Sequence, residues 1–174
     1  MGQTDQRVAP PESTIRPVKT VAEATVPLEN CGLFLGLPPE VLDRIQELVS
    51  EREFDENTTI FSEGDPAEEL FILACGEVEL DFTLPTQPDT VMRITRIAPG
   101  EAFAWSALAG LTRLSSTSRT LRKSRVYAIS GSGLREVFKS SPESGYVVMS
   151  RLSMIIASRL HDTRHQLRWL LSAT

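Results

Sequence analysis

Cysteine and histidine are nearly absent from this chain: Cys31 and Cys75 are the only thiols, and His161 and His165 the only imidazoles. The two cysteines follow no metal-ligand spacing and sit beside glycines in apolar stretches, which makes them small core or turn residues of a reduced chain, not a disulfide. The histidines stand four apart in a helical pattern, a spacing that can share a metal. No carboxylate or thiolate cluster accompanies them, so they read as a solvated face, and no metal site is expected. Basic residues are in deficit, with 18 Lys and Arg against 23 Asp and Glu and a formal net charge of −5. That balance argues against a nucleic-acid footprint spread over the surface. Long apolar runs are missing as well. The most apolar stretch is broken by Ser150 and Arg151, and no start-proximal run resembles a signal peptide, so a soluble cytoplasmic protein without a membrane partner is expected.

What is present suits one ordinary domain. The 174 residues are 41% hydrophobic and 24% charged, enough for a sizeable core. Residues 1–27 scatter Pro10, Pro11, Pro17 and Pro27 among polar side chains and read as a flexible N-terminal segment, with a docking arm for a protein partner as the other reading. The domain is expected over 28–174. It opens with a helix whose start accommodates Pro38 and Pro39 and whose apolar stripe is Val41, Leu42, Ile45 and Leu48. Between residues 54 and 130 the pattern changes to short β-branched or alternating runs bounded by Gly, Pro, Asp or Asn. Such spacing predicts an α+β fold built on an antiparallel, jelly-roll-like β-roll with flanking helices. A last helix is expected over 142–171. Met149, Leu152, Ile156, Leu160, Thr163, Leu167 and Leu170 recur there at three or four residues, a seam that predicts a homodimer through this helix, the other reading being that its first half packs on the roll and its end frays.

The run "TTIFSEGDPAEELFILACGEVEL" carries an Ile60-Phe61 pair, then Glu63-Gly64-Asp65, Leu70-Phe71-Ile72, and Gly76 with Val78 two positions on. This spacing resembles the cyclic nucleotide-binding domain family, "RIAPGEAF" resembles the opening of its phosphate-binding cassette, and "RVYAIS" its last strand. The resemblance covers about residues 28–160. Asn57 stands where the family has glycine, a tolerable exchange because Asn accepts left-handed backbone. Gly64, Gly76 and Gly100 fall between strands, where turns need the same freedom.

In the family, the cassette binds a cyclic phosphate through main-chain amides, a glutamate on the ribose and an arginine on the phosphate. Here Ala104-Trp105-Ser106-Ala107-Leu108 occupies the Gly-Glu-x-Ala-Leu positions, so Ala104 replaces the glycine and Trp105 the ribose-binding glutamate. Counting from either side, the arginine position falls on Leu114. Arg113 is one residue early, and on an extended strand that offset turns a side chain to the other face unless a bulge re-aims it. The candidate ligand-binding residues are Gly100, Glu101, Ala104, Trp105, Ser106, Ala107, Arg113, Leu114, Ser115 and Ser116. No catalytic set is expected. Arg159, Arg164 and Arg168 read as cations favoured near a helix C-terminus. The resemblance implies a regulatory sensor with weakened or altered specificity, for a cyclic nucleotide or another small anionic ligand. The rival expectation is a ligand-independent dimerisation scaffold whose pocket Trp105 fills. A helix-turn-helix would need more chain than follows the long helix, so no direct DNA contact is expected.

Overall fold

The computed structural model describes residues 24–84 and 87–172, apart from the side chains at 84–90, 166, 167 and 169–172. Its elements run α1 (Pro39–Gln46), β1 (Val49–Phe54), β2 (Thr59–Phe61), β3 (Glu69–Cys75), β4 (Val78–Leu84), β5 (Gln87–Ile97), β6 (Ala102–Phe103), α2 (Ser106–Ala109), β7 (Thr117–Thr120), β8 (Ser124–Ser130), α3 (Gly131–Ser140) and α4 (Pro142–Ser172). Two antiparallel sheets result, ordered β1-β8-β3-β6 and β2-β7-β4-β5. This is the α+β roll with flanking helices that the strand spacing implies.

Leu70 through Ala74 are buried without interruption, a pattern produced by a strand covered on both faces. Alternation then divides the side chains between two cores. Leu70, Ile72 and Ala74 of β3, with Tyr127 and Ile129 of β8, face the core under the helices. Phe71 and Leu73, with Val126 and Ala128, face a core inside the roll. There the rings of Phe61, Phe71 and Phe103 stack with centroids 5.5–6.1 Å apart.

The helices begin where their capping residues allow. Pro39 sits in the first turn of α1, where a missing amide breaks no bond, and Ser130 Oγ accepts from Gly133 N at 3.2 Å to cap α3. Ordered contacts start earlier than residue 28. Val26 N donates to Ala74 O at 2.8 Å and Val26 O accepts from the Tyr127 hydroxyl at 3.1 Å. The rest of the expected N-terminal segment, 1–23, lies outside the described residues.

The expected seam of α4 divides in two. Leu152 is fully buried in the helical core and Ile156 packs against it, so those positions serve the roll; Thr163 is half-buried. Met149 and Leu160 are exposed. Leu167 and Leu170 have side chains outside the described set. The physical reason is the width of the apolar surface: a helix this apolar has a stripe for its own domain and a second one left over.

One close approach positions the cassette. A Cβ on Gly131 would stand 2.6 Å from Ala107 O and 2.8 Å from its carbonyl carbon, so α2 and the start of α3 touch through main chain. Gly131→Ala forces the two apart, and we expect it to cost roughly 1–3 kcal/mol. The cost is read as a lower denaturant midpoint; an unchanged midpoint contradicts this packing.

Candidate functional site

The cassette begins at a turn closed by Glu101 N donating to Ala98 O at 3.0 Å, with Gly100 at φ 88°. Glu101 Oε2 accepts from Ala98 N at 3.0 Å, so this carboxylate orients the turn. Gly100 N donates to Leu73 O at 2.7 Å and its carbonyl accepts from Gly32 N at 3.2 Å, stitching the turn to β3 and the N-terminal loop. After β6, Ala104 takes φ 54°. The left-handed conformation is thus retained without glycine, at a cost of roughly 1–2 kcal/mol. Asn57 does the same at φ 60°.

Ala104 O accepts from Ala107 N at 3.3 Å, so that amide is engaged within the cassette. Ala107 and Leu108 are buried, and Gly110 ends the short helix at φ 78°. From α3, Arg135 donates to Ala107 O. The chain then returns along the turn after β2, with Leu114 N donating to Asp65 O and Leu114 O accepting from Gly64 N, both at 2.9 Å. Leu114 is buried in the core inside the roll. Arg113 is exposed, and its Nη1 donates to Gly64 O at 2.6 Å. The one-residue offset therefore separates them: leucine inward, arginine outward.

A cavity of about 260 Å³ lies between the cassette and α4. Ala104, Trp105, Ser106, Leu114, Ser115 and Ser116 line it, so these candidates come together. Gly100, Glu101, Ala107 and Arg113 do not line it: the first two build the turn, Ala107 packs on α3, and Arg113 is held by Gly64. Trp105 is half-buried and packs against the helical core, forming a wall beside the open volume. Ser106 is buried, Ser116 half-buried and Ser115 exposed.

The opposite wall carries a residue that sequence reasoning misplaced. Arg159 of α4 lines the cavity, and its Nη2 donates to Ala102 O at 2.7 Å. Its Nη1 is buried with no hydrogen-bond partner among the described residues. Burial pushes the guanidinium pKa down from its usual value, against the opposing pull of Glu101. The signal was present in the spacing. Arg159 follows Leu152, Ile155 and Ile156 by seven, four and three positions, which puts it on the stripe turned toward the roll.

Other features carry less. A cleft of about 410 Å³ that shares Arg159 is lined by Arg96 and Arg151 but also by Glu101 and Asp162, so most of its charge is offset. The rings of His161 and His165 are 4.5 Å apart and exposed, and the described residues hold no group of three metal-ligating side chains. Both cysteines are free thiols. Burial first, then the charge of Glu29, pushes the Cys31 thiol up to about 11, as suits a core residue. Among the described residues no helix is long and apolar enough to cross a membrane.

Comparison with known proteins agrees with this geometry. The chain is 23% identical over 140 residues to the CRP-like cAMP-activated global transcriptional regulator of Mycobacterium tuberculosis (strain CDC 1551 / Oshkosh), covering 80% of this chain and 60% of the relative. It therefore spans less than two thirds of that protein. The catabolite activator protein of Thermus thermophilus superposes with a TM-score of 0.65 at 24% identity, over 80% of this chain and 62% of that one. The N-terminal domain of a transcriptional regulator from Streptomyces coelicolor A3(2) superposes at 0.62 and 21% identity, over 75% of this chain and 92% of that domain. These likenesses show the fold. The family model described as the cyclic nucleotide-binding domain matches residues 51–141, more than half of the chain. With the cassette lying between β6 and β7 of the roll, the chain belongs to the cyclic nucleotide-binding domain family.

Proposed function

We propose that this chain is a non-enzymatic regulatory module that senses a small anionic ligand, with weakened or altered specificity for cyclic nucleotides. The observation that carries the reading is the cavity beside Trp105, which keeps the cassette hydroxyls but has leucine at the phosphate-pairing position. Loss of the partner of a buried charge costs roughly 3–5 kcal/mol, or about a hundredfold to a few thousandfold in affinity. Among the described residues lining the cavity, no carboxylate, imidazole or thiol stands ready to move a proton, which favours binding over catalysis. The open volume beside the indole favours the sensor over a scaffold whose pocket Trp105 fills. A cytoplasmic setting fits the free thiols. Transcriptional control belongs to the longer relatives, and direct DNA binding is no part of this proposal.

The module works as a homodimer through α4. Tyr146 and Met154 are exposed on the side of α4 away from buried Val148 and Leu152, with Met149 and Leu160 exposed at its flank, an apolar surface suited to a second copy of the helix.

Calorimetric titration of nucleotide-stripped protein with cAMP and cGMP tests the sensing role. Saturable binding at about 10–1,000 μM is expected from the lost contacts. Nanomolar binding contradicts the weakened cassette, and absence of heat at millimolar nucleotide favours the scaffold. Sedimentation equilibrium tests the assembly: the parent is expected as a dimer and Met154→Glu as a monomer, whereas a monomeric parent overturns the role of α4.

A further inference from the structure

We propose that Arg159, supplied by α4, is the residue that meets the phosphate of a mononucleotide in the cassette cavity. The inference rests on the ligand-sensing reading and assigns the charge that Leu114 no longer provides. Three observations carry it. First, the guanidinium is half committed: Nη2 is fixed on Ala102 O at 2.7 Å, while Nη1 is buried without a hydrogen-bond partner among the described residues. A buried donor on a charged group is costly to leave unmade, and a turn of the guanidinium toward the open volume lets an anion satisfy both its charge and its geometry. Second, Arg159 is the one charged residue among those lining the cavity, and the Glu101 carboxylate that acts on it lies in the neighbouring cleft. Ser106, Ser115, Ser116 and Thr163 add hydroxyls that accept or donate around a phosphate. Third, the remaining walls are apolar, with Trp105, Ile94 and Leu80 offering a surface for a base. At about 260 Å³ the cavity lies just under the ~300–1,000 Å³ of ordinary ligand pockets, which suits one nucleotide and not a dinucleotide.

The placement has a consequence for signalling. In a cassette with its own arginine, the phosphate is read by the roll. Here the residue that meets the anion belongs to the helix whose other face is exposed and apolar. Occupation of the cavity ties α4 to the cassette directly, with Ala102 O keeping the second guanidinium nitrogen.

The test is calorimetry on the full chain with cAMP, cGMP and 5′-AMP, comparing the parent with Arg159→Met, Arg159→Lys and Arg113→Ala. Arg159→Met is expected to weaken binding roughly 30-fold or more, as for truncation of one partner of a buried charge pair. Arg159→Lys should weaken it less, since an ammonium keeps the charge and loses the fork that spans Ala102 and the ligand. Arg113→Ala should change affinity less than about twofold, because its guanidinium points to Gly64. Should Arg159→Met fail to fold, the Nε–H resonance of Arg159 in the parent serves instead, and nucleotide must shift it. Preference for 5′-AMP over cAMP identifies an open phosphate monoester, and the reverse a cyclic diester; either supports the receptor role. Parent-like binding by Arg159→Met, or an unmoved resonance at saturation, overturns Arg159 and leaves the sensor intact. Absence of binding by the parent to all three nucleotides at millimolar concentration overturns the sensor reading and the inference with it.

Discussion

Two arginine–carbonyl contacts hold the cassette in place, and the remainder of the site depends on them. Ala102 O lies on β6, the edge strand of its sheet, and Ala107 O lies in a helix too short to use all its own carbonyls. Buried acceptors of this kind need partners from elsewhere. Arg159 of α4 supplies one and Arg135 of α3 supplies the other. Charge-assisted bonds of this type are roughly twice as strong as neutral ones. The irregular segment between β6 and β7 is thereby clamped from both sides by helices that pack on the same sheet.

This clamp explains how the segment between β6 and β7 keeps its shape. Ala104 holds a left-handed conformation without glycine, between β6 and α2. Leu114 joins the stacked phenylalanines inside the roll, and Trp105 packs against the helical core. Two residues of the candidate site thus pack in two different cores, and main-chain contacts keep the shape of the segment that carries them. The charged side chain that lines the cavity comes from α4, outside the cassette.

Much of this was legible in the amino-acid sequence. Proline at the start of α1, the turn glycines and the alternating runs each followed from local sterics that tertiary context did not override. Arg113 does point outward and Leu114 is buried, although both lie before β7, where Arg113 makes an isolated bridge to Pro66. Periodicity counts an arginine as polar, so Arg159 read as surface although its spacing from Leu152 and Ile156 put it on the inner stripe. The α4 seam was legible as a choice between a partner helix and a first half packed on the roll, because one repeat of three and four serves both, and Leu152 and Ile156 serve the roll. The bond from Val26 to Ala74 gives no local signal, because it depends on a strand edge assembled from distant residues.

The central claim is that α4 and the cassette form one mechanical unit joined at Arg159. Native-state hydrogen exchange against denaturant tests it most directly, by comparing opening free energies of amides 106–111 with those of 152–163. The account predicts that both sets converge on one opening reaction with a common denaturant slope. Release of α4 at markedly lower free energy, with the cassette amides still protected, would contradict it.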